Sequence, residues 1–208
     1  MINNIPAPSY KTAKLLNKKL QQLVNLPSTY TTKNSHEMGL DLHNIRTNEN
    51  HKLITLDIKD LYVNLPVQGI IQITKFWLNK DSCDNTITEQ TLHILEIILE
   101  QNYFQYNGQY YQPDKSIAMG SPISSTLAEI YLLYLEEIYV KLWLENREII
   151  LYKRYIDDIL IIYDQTKTDE TTIYNTINNN GKHLEFKIAG KDNNTISYLD
   201  LSIGTPTT

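Results

Sequence analysis

Apolar residues recur along the chain with two different spacings, and each spacing predicts its own kind of element. Leu16, Leu20 and Leu23 share one face of a helix predicted over 11–25. The same periodicity predicts further helices over 35–48, from Pro66 to about residue 78, and over 88–101, 123–146 and 168–179. Apolar and β-branched runs predict strands over 52–58, two strands around a tight turn in 150–163, and strands over 184–189 and 195–203. This mixed order predicts an α+β fold rather than alternating parallel βα units.

The segment 103–112 carries a separate and more specific turn signal. Asn107-Gly108 stands between two aromatic runs. Both central positions of a two-residue hairpin turn need positive φ, which Asn and Gly tolerate best. The segment is therefore predicted to form a β-hairpin, followed by a loop that ends near Pro122.

Composition places the chain among ordinary globular proteins and leaves its partners open. Hydrophobic residues make up 41% of the 208 residues and charged residues 21%, enough for one large domain or two small ones. The net charge of −5 counts against a uniformly basic nucleic-acid binder. Residues 1–36, however, contain lysines and no acid, so this stretch is either a solvated helix face or a phosphate-contacting one.

The remaining composition bears on the compartment. Cys83 is the single cysteine, which excludes an intrachain disulfide. The N-terminal residues lack a secretory signal pattern, and no apolar run approaches the roughly 18 residues that a membrane span needs. We therefore expect an intracellular protein without a membrane partner, in either the nucleus or the cytoplasm.

Two adjacent acids interrupt the apolar segment 150–163. Asp157-Asp158 lies directly before a run of four aliphatic residues. Neighbouring carboxylates beside buried strands repel each other and resist desolvation. Either a bound divalent cation such as Mg²⁺ compensates them, or they form a polar hairpin turn.

A third acid, Asp57, closes the predicted strand 52–58. Alone, such a residue is more often a helix cap or a turn residue. If its strand lies beside the 150–163 hairpin, three carboxylates converge, and three carboxylates can hold two metal ions about 3.5–4 Å apart. Such a pair of ions suits phosphoryl transfer.

Several motifs together resemble a known family. DIKDLY from Asp57, AMGSP from Ala118, YIDD from Tyr155 and SYLDL from Ser197 resemble the successive palm motifs of reverse transcriptases. The segments APSYKTAKLLNKKL (7–20) and YFQYNGQYYQ (103–112) resemble Penelope-like retroelements most closely. The resemblance implies a right-hand polymerase palm, an antiparallel sheet with helices packed on one face, plus partial fingers. Residues 1–51 would be a partial fingers or helical entry segment, and 52–208 the palm, with a fingers insertion around 66–112.

The resemblance also implies site residues. Asp57, Asp157 and Asp158, helped by the carbonyl of Ile58, would hold two Mg²⁺ ions, with Mn²⁺ as an alternative. Tyr62 would be the steric gate that excludes a ribose 2′-hydroxyl. The nucleotide-binding residues would be Asp60, Leu61, Tyr62, Met119 and Gly120, and the primer and template residues Ser121, Pro122, Tyr155, Ile156, Tyr198 and Leu199.

From the residues alone, several of these positions have a plainer interpretation. Tyr62 could be a packed strand-end aromatic, and Tyr198 and Leu199 could be strand core. Gly120 and Pro122 suit an ordinary loop-to-helix entry equally well.

The sequence departs from the family pattern in a few places. Ser116 stands where the family has Gly, and either Lys182 or Lys187 would be the general acid. The family's Arg-Pro-containing fingers strand, its thumb and a GIY-YIG nuclease are not in the sequence, so we expect a chain truncated at both ends.

The predicted function is that of an RNA-directed DNA polymerase, which adds dNTPs to a primer 3′-hydroxyl on an RNA or DNA template. One alternative is an inactive retroelement remnant that keeps the palm fold and weak nucleic-acid binding. Another is an unrelated metal-dependent phosphotransferase that uses the same carboxylates. Within the polymerase prediction, the resemblance leaves a runner-up to the Penelope-like lineage, namely another reverse transcriptase lineage such as an intron-encoded or telomerase-like one. The sequence leaves the oligomeric state open.

Overall fold

A computed structural model describes residues 9–101, 103–111, 117–118, 120–181, 183–190 and 195–204. The chain divides into two units, one formed by 1–26 with 60–134 and the other by 27–59 with 135–208. Within the described ranges, none of the helices combines the length and the apolar character needed to cross a bilayer.

The described elements follow one another in an α+β order. The first part of the chain contains α1 (Tyr10–Leu23), α2 (Ser35–His43), β1 (His51–Lys59), α3 (Leu61–Asn64), α4 (Val67–Lys80), α5 (Asn85–Glu100), β2 (Phe104–Tyr106) and β3 (Gln109–Tyr111). The second part contains α6 (Ser124–Leu135), a π-helical turn (Glu136–Val140), α7 (Lys141–Glu145), β4 (Ile149–Tyr155), β5 (Asp158–Asp164), α8 (Glu170–Asn180), β6 (Glu185–Ile188), β7 (Thr195–Tyr198) and β8 (Leu201–Gly204).

The unit formed by 1–26 and 60–134 is mainly helical. Helices α1, α4 and α5 confirm the predicted periodicities, and Leu16 and Leu20 are buried as expected. Trp77 of α4 is fully buried, and its indole N–H donates to the carbonyl of Ile130 in α6 at 3.1 Å. Helix α5 begins after Asp84, whose carboxylate accepts from two backbone N–H groups of its first turn. The aligned apolar faces therefore build one core.

The predicted hairpin of this unit is confirmed. Strands β2 and β3 pair antiparallel, with Tyr106 opposite Gln109. Asn107 and Gly108 have φ of 49° and 74°, the positive values that a two-residue turn of this kind requires.

The unit formed by 27–59 and 135–208 is built on a four-stranded antiparallel sheet in the order β4-β5-β1-β6. The segment around Thr31 extends the β4 edge by a parallel bridge to Arg154. The N–H of Arg154 donates to the carbonyl of Tyr30 at 2.8 Å, and the N–H of Thr32 donates to the carbonyl of Arg154 at 3.0 Å. Within the sheet, β1 lies between β5 and β6 and pairs with both.

Different elements pack against the two faces of this sheet. On one face, α2 and the β7–β8 hairpin contribute to an apolar cluster of Met38, Leu53, Leu160, Ile162, Ile196 and Tyr198. On the other face, the hydroxyl of Tyr152 donates to the carboxylate of Glu136 in the π-helical turn at 2.9 Å. Asn178 of α8 exchanges hydrogen bonds with the backbone of Phe186.

Three predicted boundaries are wrong for local reasons. The helix expected over 35–48 ends at His43. Residues 44–50 are polar except for Ile45, and the Asn48 side chain accepts from the N–H of Asn50 in a local turn. The strand expected over 195–203 is a hairpin, since Leu199 has φ of 53° and reverses the chain. The helix expected over 123–146 is interrupted by the π-helical turn.

Candidate active site

Four side chains form a single row across one end of the sheet. Asp57 of β1 is paired in register with Asp158 of β5, and Asp158 with Tyr155 of β4. On its other side, Asp57 is paired with Lys187 of β6. Directly opposed residues of antiparallel strands project from the same face, so Tyr155, Asp158, Asp57 and Lys187 are neighbours in that order. The strand that ends at Asp57 therefore lies beside the 150–163 hairpin, as the predicted convergence of the acids requires.

Asp157 reaches this row from the β4–β5 turn. Its carbonyl accepts from the N–H of Ile58 at 3.0 Å, which ties the turn to β1. The preceding residue, Ile156, has φ of 56°. A β-branched residue rarely adopts this left-handed conformation, and such strain costs on the order of 1–3 kcal/mol. The surrounding hydrogen bonds must therefore hold the turn in place.

Electrostatics in the row are unbalanced. Asp158 is exposed, yet its pKa is raised above the ordinary aspartate value. Partial desolvation is the largest cause, and the negative charges of Asp157 and Asp57 add to it. The folded chain thus concentrates negative charge at this end of the sheet.

The acids can be compared with a metal site in two respects: the type of donor atom and the arrangement of the side chains. Among the described residues, no group of three or more His, Cys, Asp and Glu side chains is arranged so that it could hold a metal ion. The donors themselves suit Mg²⁺, which prefers carboxylate oxygens. The pKa of Asp158 is raised chiefly by partial desolvation, and the negative charges of Asp157 and Asp57, which a divalent cation would offset, are the smaller causes. Donor type thus matches the predicted ion, although the described side chains form no three-donor group for it.

Tyr198 supports the row from the β7–β8 hairpin. Its side chain is 3% exposed and belongs to the apolar cluster on this face. Its hydroxyl lies 3.2 Å from the carbonyls of both Lys153 and Asp158, so its single hydrogen is shared between these two acceptors. The pKa of this hydroxyl is raised, chiefly by burial and then by the charge of Asp158. Tyr198 is thus a packed residue that fixes the backbone of both hairpin strands, while Leu199 beside it is half-buried in the same cluster.

A buried ion pair lies beneath the turn, and sequence reasoning missed it. The guanidinium of Arg154 donates from Nε to Oε1 of Glu136 at 2.6 Å and from Nη2 to Oε2 at 3.1 Å. Its Nη1 donates to the carbonyl of Ile156 at 3.1 Å. The available signals were an arginine inside the predicted strand 150–163 and an acid inside an unusually apolar helix. Neither residue's position in the sequence identifies the other as its partner.

The residues predicted to bind the nucleotide belong to the unit formed by 1–26 and 60–134. Asp60 is exposed with φ of 50°, Leu61 is buried, and Tyr62 is half-buried. The carbonyl of Tyr62 accepts from the N–H of Ile117 at 3.2 Å. The strand end after Asp57 is therefore followed at once by a tight, left-handed turn into α3.

The predicted loop before α6 is described only in part. Gly120 has φ of 91°, a conformation that favours glycine. The N–H of Ser121 donates to the carbonyl of Ala118 at 3.2 Å, and Pro122 is half-buried two residues before α6 begins. Met119, Ser116 and Lys182 lie outside the described residues.

Comparison with protein families decides what this chain is related to. The model of the family "Reverse transcriptase (RNA-dependent DNA polymerase)" matches residues 5–191. The chain belongs to the reverse transcriptase family. Its sheet with flanking helices is accordingly a polymerase palm of the α+β class. A search of curated protein sequences found no match.

Solved structures of telomerases share the fold of this reverse transcriptase domain. Apo telomerase from Candida tropicalis superposes with a TM-score of 0.63 at 14% identity, over 95% of this chain and 39% of the other. Telomerase from the same organism, in complex with the TWJ fragment of telomeric RNA, gives a TM-score of 0.67 at 14% identity, over 92% and 35%. The corresponding complex from Candida albicans gives 0.61 at 12% identity, over 93% and 37%. The chain thus spans well under half the length of these structures.

Proposed function

We propose that this chain carries the catalytic palm of an RNA-directed DNA polymerase, which adds dNTPs to a primer 3′-hydroxyl on an RNA or DNA template. One observation supports this most directly. Asp57 stands in register with Asp158, and Asp157 is joined to β1 through the Ile58 N–H, in a chain of the reverse transcriptase family. The complexes of two telomerase neighbours with a fragment of telomeric RNA are in keeping with an RNA partner.

The carboxylates would hold two divalent cations, Mg²⁺ or alternatively Mn²⁺. Such ions lower the pKa of an attacking hydroxyl and stabilise the leaving pyrophosphate. Asp57, Asp157 and Asp158 would bind them, with the carbonyl of Ile58 as a further donor. The chain's own part is to keep three negative charges at one end of the sheet, at the expense of mutual repulsion, and the raised pKa of Asp158 is consistent with this.

Lys187 is a supported candidate for the general acid of this reaction. It is in register with Asp57 on the adjacent strand, so both side chains leave the same face of the sheet. Its ammonium group lies 3.6 Å from Glu185 and remains about half exposed, so it is free to reorient. Lys182 stays an alternative, since it lies outside the described residues.

Tyr62 is proposed as the steric gate against ribonucleotides. It follows the β1 strand end by a few residues and is half-buried, and its backbone carbonyl accepts from the N–H of Ile117. Replacement by alanine should relax sugar selection. Incorporation of ribonucleotides is measured for wild type and Tyr62→Ala, and an unchanged ratio of ribonucleotide to deoxynucleotide use would refute the gate.

Primer extension tests the proposed function itself. Purified chain is incubated with a primed RNA or DNA template, dNTPs and Mg²⁺, and extension is followed on a gel. Asp157→Asn should lower extension by at least about a thousandfold, since it removes a charged metal ligand at the reacting centre. Asp164→Asn is the matched control: it makes the same change at the other end of β5, and extension should stay near wild type.

The alternatives give different results in this assay. An inactive remnant would fold and bind nucleic acid weakly but extend no primer. A metal-dependent phosphotransferase would act on phosphate substrates without any need for primer and template. We also propose the Penelope-like relationship, and a palm over 52–208 with a fingers insertion around 66–112.

A further inference from the structure

We infer that the buried Glu136–Arg154 pair is a positioning device that fixes the strained Ile156–Asp157 turn and thereby places the catalytic carboxylates. The inference rests on the proposed function, because it takes Asp157 and Asp158 as the metal-binding groups. It adds two residues to the machinery that touch neither metal nor substrate. Their role is to determine where the turn stands relative to β1.

The pair is removed from solvent and fully engaged. The side chains of Arg154 and Glu136 are 1% and 4% exposed. The guanidinium fork meets both carboxylate oxygens, and the hydroxyl of Tyr152 donates to Oε1 at 2.9 Å. Tyr30 packs edge-on against Tyr152, with ring centroids 6.3 Å apart. A group enclosed in this way has little freedom to change its geometry.

One donor of the guanidinium is directed at the turn. Nη1 of Arg154 donates to the carbonyl of Ile156 at 3.1 Å. Because Ile156 has φ of 56°, this carbonyl belongs to the strained peptide unit that leads into Asp157. The next carbonyl along the chain, that of Asp157, accepts from the N–H of Ile58. Two consecutive carbonyls are therefore held, one by the ion pair and one by β1.

The helix that supplies Glu136 is distorted at that position. The π-helical turn begins at Glu136, in the middle of a helical segment that is otherwise α-helical. Such turns are rare and occur frequently at functional sites, since they reorient a side chain at the cost of regular hydrogen bonding. A distortion here is understandable if the carboxylate has to meet the Arg154 fork.

Stability alone accounts poorly for such a pair. Well-packed apolar side chains of similar volume commonly stabilise a core as well as a buried ion pair does. An apolar pair could not donate a hydrogen bond to the Ile156 carbonyl. A lysine could pair with Glu136, but it lacks the planar fork that reaches the carboxylate and the carbonyl together. The requirement for arginine thus follows from the turn.

The test separates a positioning role from a merely structural one. The double variant Glu136→Gln/Arg154→Met removes both charges, so neither is left buried without a partner, and Arg154→Lys keeps the charge without the fork. Lys153→Met is the matched control, because Lys153 is adjacent on β4, pairs with Asp41 at 2.9 Å and uses none of its side-chain donors on the turn. All are compared with wild type as the full chain.

Two measurements are made besides the urea midpoint. The first is hydrogen exchange of the Ile58 amide, which reports opening of the turn because that amide donates to Asp157. The second is Mn²⁺ affinity, followed by electron paramagnetic resonance without nucleic acid. In the double variant and in Arg154→Lys, we expect exchange at Ile58 to speed up by about tenfold or more and Mn²⁺ affinity to fall by about tenfold. Lys153→Met should change neither.

The outcomes distinguish this inference from the proposed function. Unchanged exchange at Ile58 in both the double variant and Arg154→Lys would overturn the positioning role, whatever happens to stability. If the double variant does not fold, Arg154→Lys decides alone. If wild type binds no Mn²⁺ and extends no primer, the proposed function fails, while exchange at Ile58 still shows whether the ion pair holds the turn.

Discussion

Arg154 and Asp157 lie three positions apart on β4 and its turn, yet they belong to two groups of charged residues with opposite environments. Arg154 and Glu136 are buried, oppositely charged and hydrogen-bonded on several sides. Asp157 and Asp158, with Asp57, carry like charges at a more exposed end of the sheet. In the first group, which we call the balanced group, opposite charges and hydrogen bonds compensate for burial. In the second, the unbalanced group, three like charges lie close together and repel one another.

The difference shows how one sheet can remain stable while it holds three like charges close together. Unbalanced charge destabilises a folded protein, so it persists only where the surroundings are rigid enough to enforce it. Here the enforcing contacts come from both faces: the ion pair holds the turn from one, and the Tyr198 hydroxyl holds the strand backbones from the other. The Glu136–Arg154 pair thus helps to keep the three carboxylates in place.

Breaking the balanced group should have the largest effect on stability. Arg154→Met alone leaves Glu136 buried without its cation, and we expect the free energy of unfolding to fall by about 3–5 kcal/mol. Lys153→Met breaks the partly exposed ion pair between β4 and Asp41 of α2, and it should cost about 1 kcal/mol. Urea unfolding at neutral pH measures both. Equal losses for the two variants would mean that burial of the pair has no special weight.

Removing the support on the other face should have an intermediate effect. Tyr198→Phe keeps the ring in the apolar cluster but leaves the carbonyls of Lys153 and Asp158 without this donor. We expect a loss of about 1–2 kcal/mol in the free energy of unfolding, with the sheet intact by circular dichroism. A wild-type urea midpoint for Tyr198→Phe would show that these hydrogen bonds do not support the hairpin.

Neutralising part of the unbalanced group should stabilise the chain. Because the pKa of Asp158 is raised in the folded state, the folded chain binds that proton more tightly than the unfolded chain. Wild-type stability therefore falls as pH rises through the interval between the ordinary aspartate pKa and the raised one. Asp158→Asn removes this loss, while primer extension disappears.

The expected gain for Asp158→Asn is small because the group is exposed. At neutral pH its Tm should exceed that of wild type by about 1–3 °C, and the difference should vanish near pH 3. Thermal unfolding from pH 3 to pH 8 gives the comparison. A variant less stable than wild type at pH 7 would contradict the repulsion inferred for the three carboxylates.

Relieving the strain in the turn should have a small effect, of the same order as that of Asp158→Asn. Asn adopts a φ near 56° more readily than a β-branched residue, and the Ile156 side chain is exposed enough to lose little burial. We expect Ile156→Asn to raise the free energy of unfolding by about 0.5–1 kcal/mol. Denaturant titration detects this change. A decrease would mean that the Ile156 side chain makes contacts that outweigh its strain.

Local sequence patterns determined much of the fold. The spacing of leucines located α1 and α5, the strand-like run 52–58 located β1, and Asn107-Gly108 located a hairpin with the predicted turn. The hairpin at 150–163 was predicted because its two apolar runs flank the Asp pair. Each of these features depends on residues within a few positions of one another, where periodicity and turn chemistry act directly.

The sequence alone also identified the three acids and their motif order, but only the tertiary structure decided their register. The pairing of Asp57 with Asp158, and of Asp57 with Lys187, depends on how β1 slides between β5 and β6. That register follows from long-range packing of both sheet faces, since a slip by one residue would turn every side chain to the opposite face. The Glu136–Arg154 pair likewise joins residues 18 positions apart, in a helix and a strand. No local pattern encodes such a meeting, because each charge becomes satisfied only when the two elements pack together.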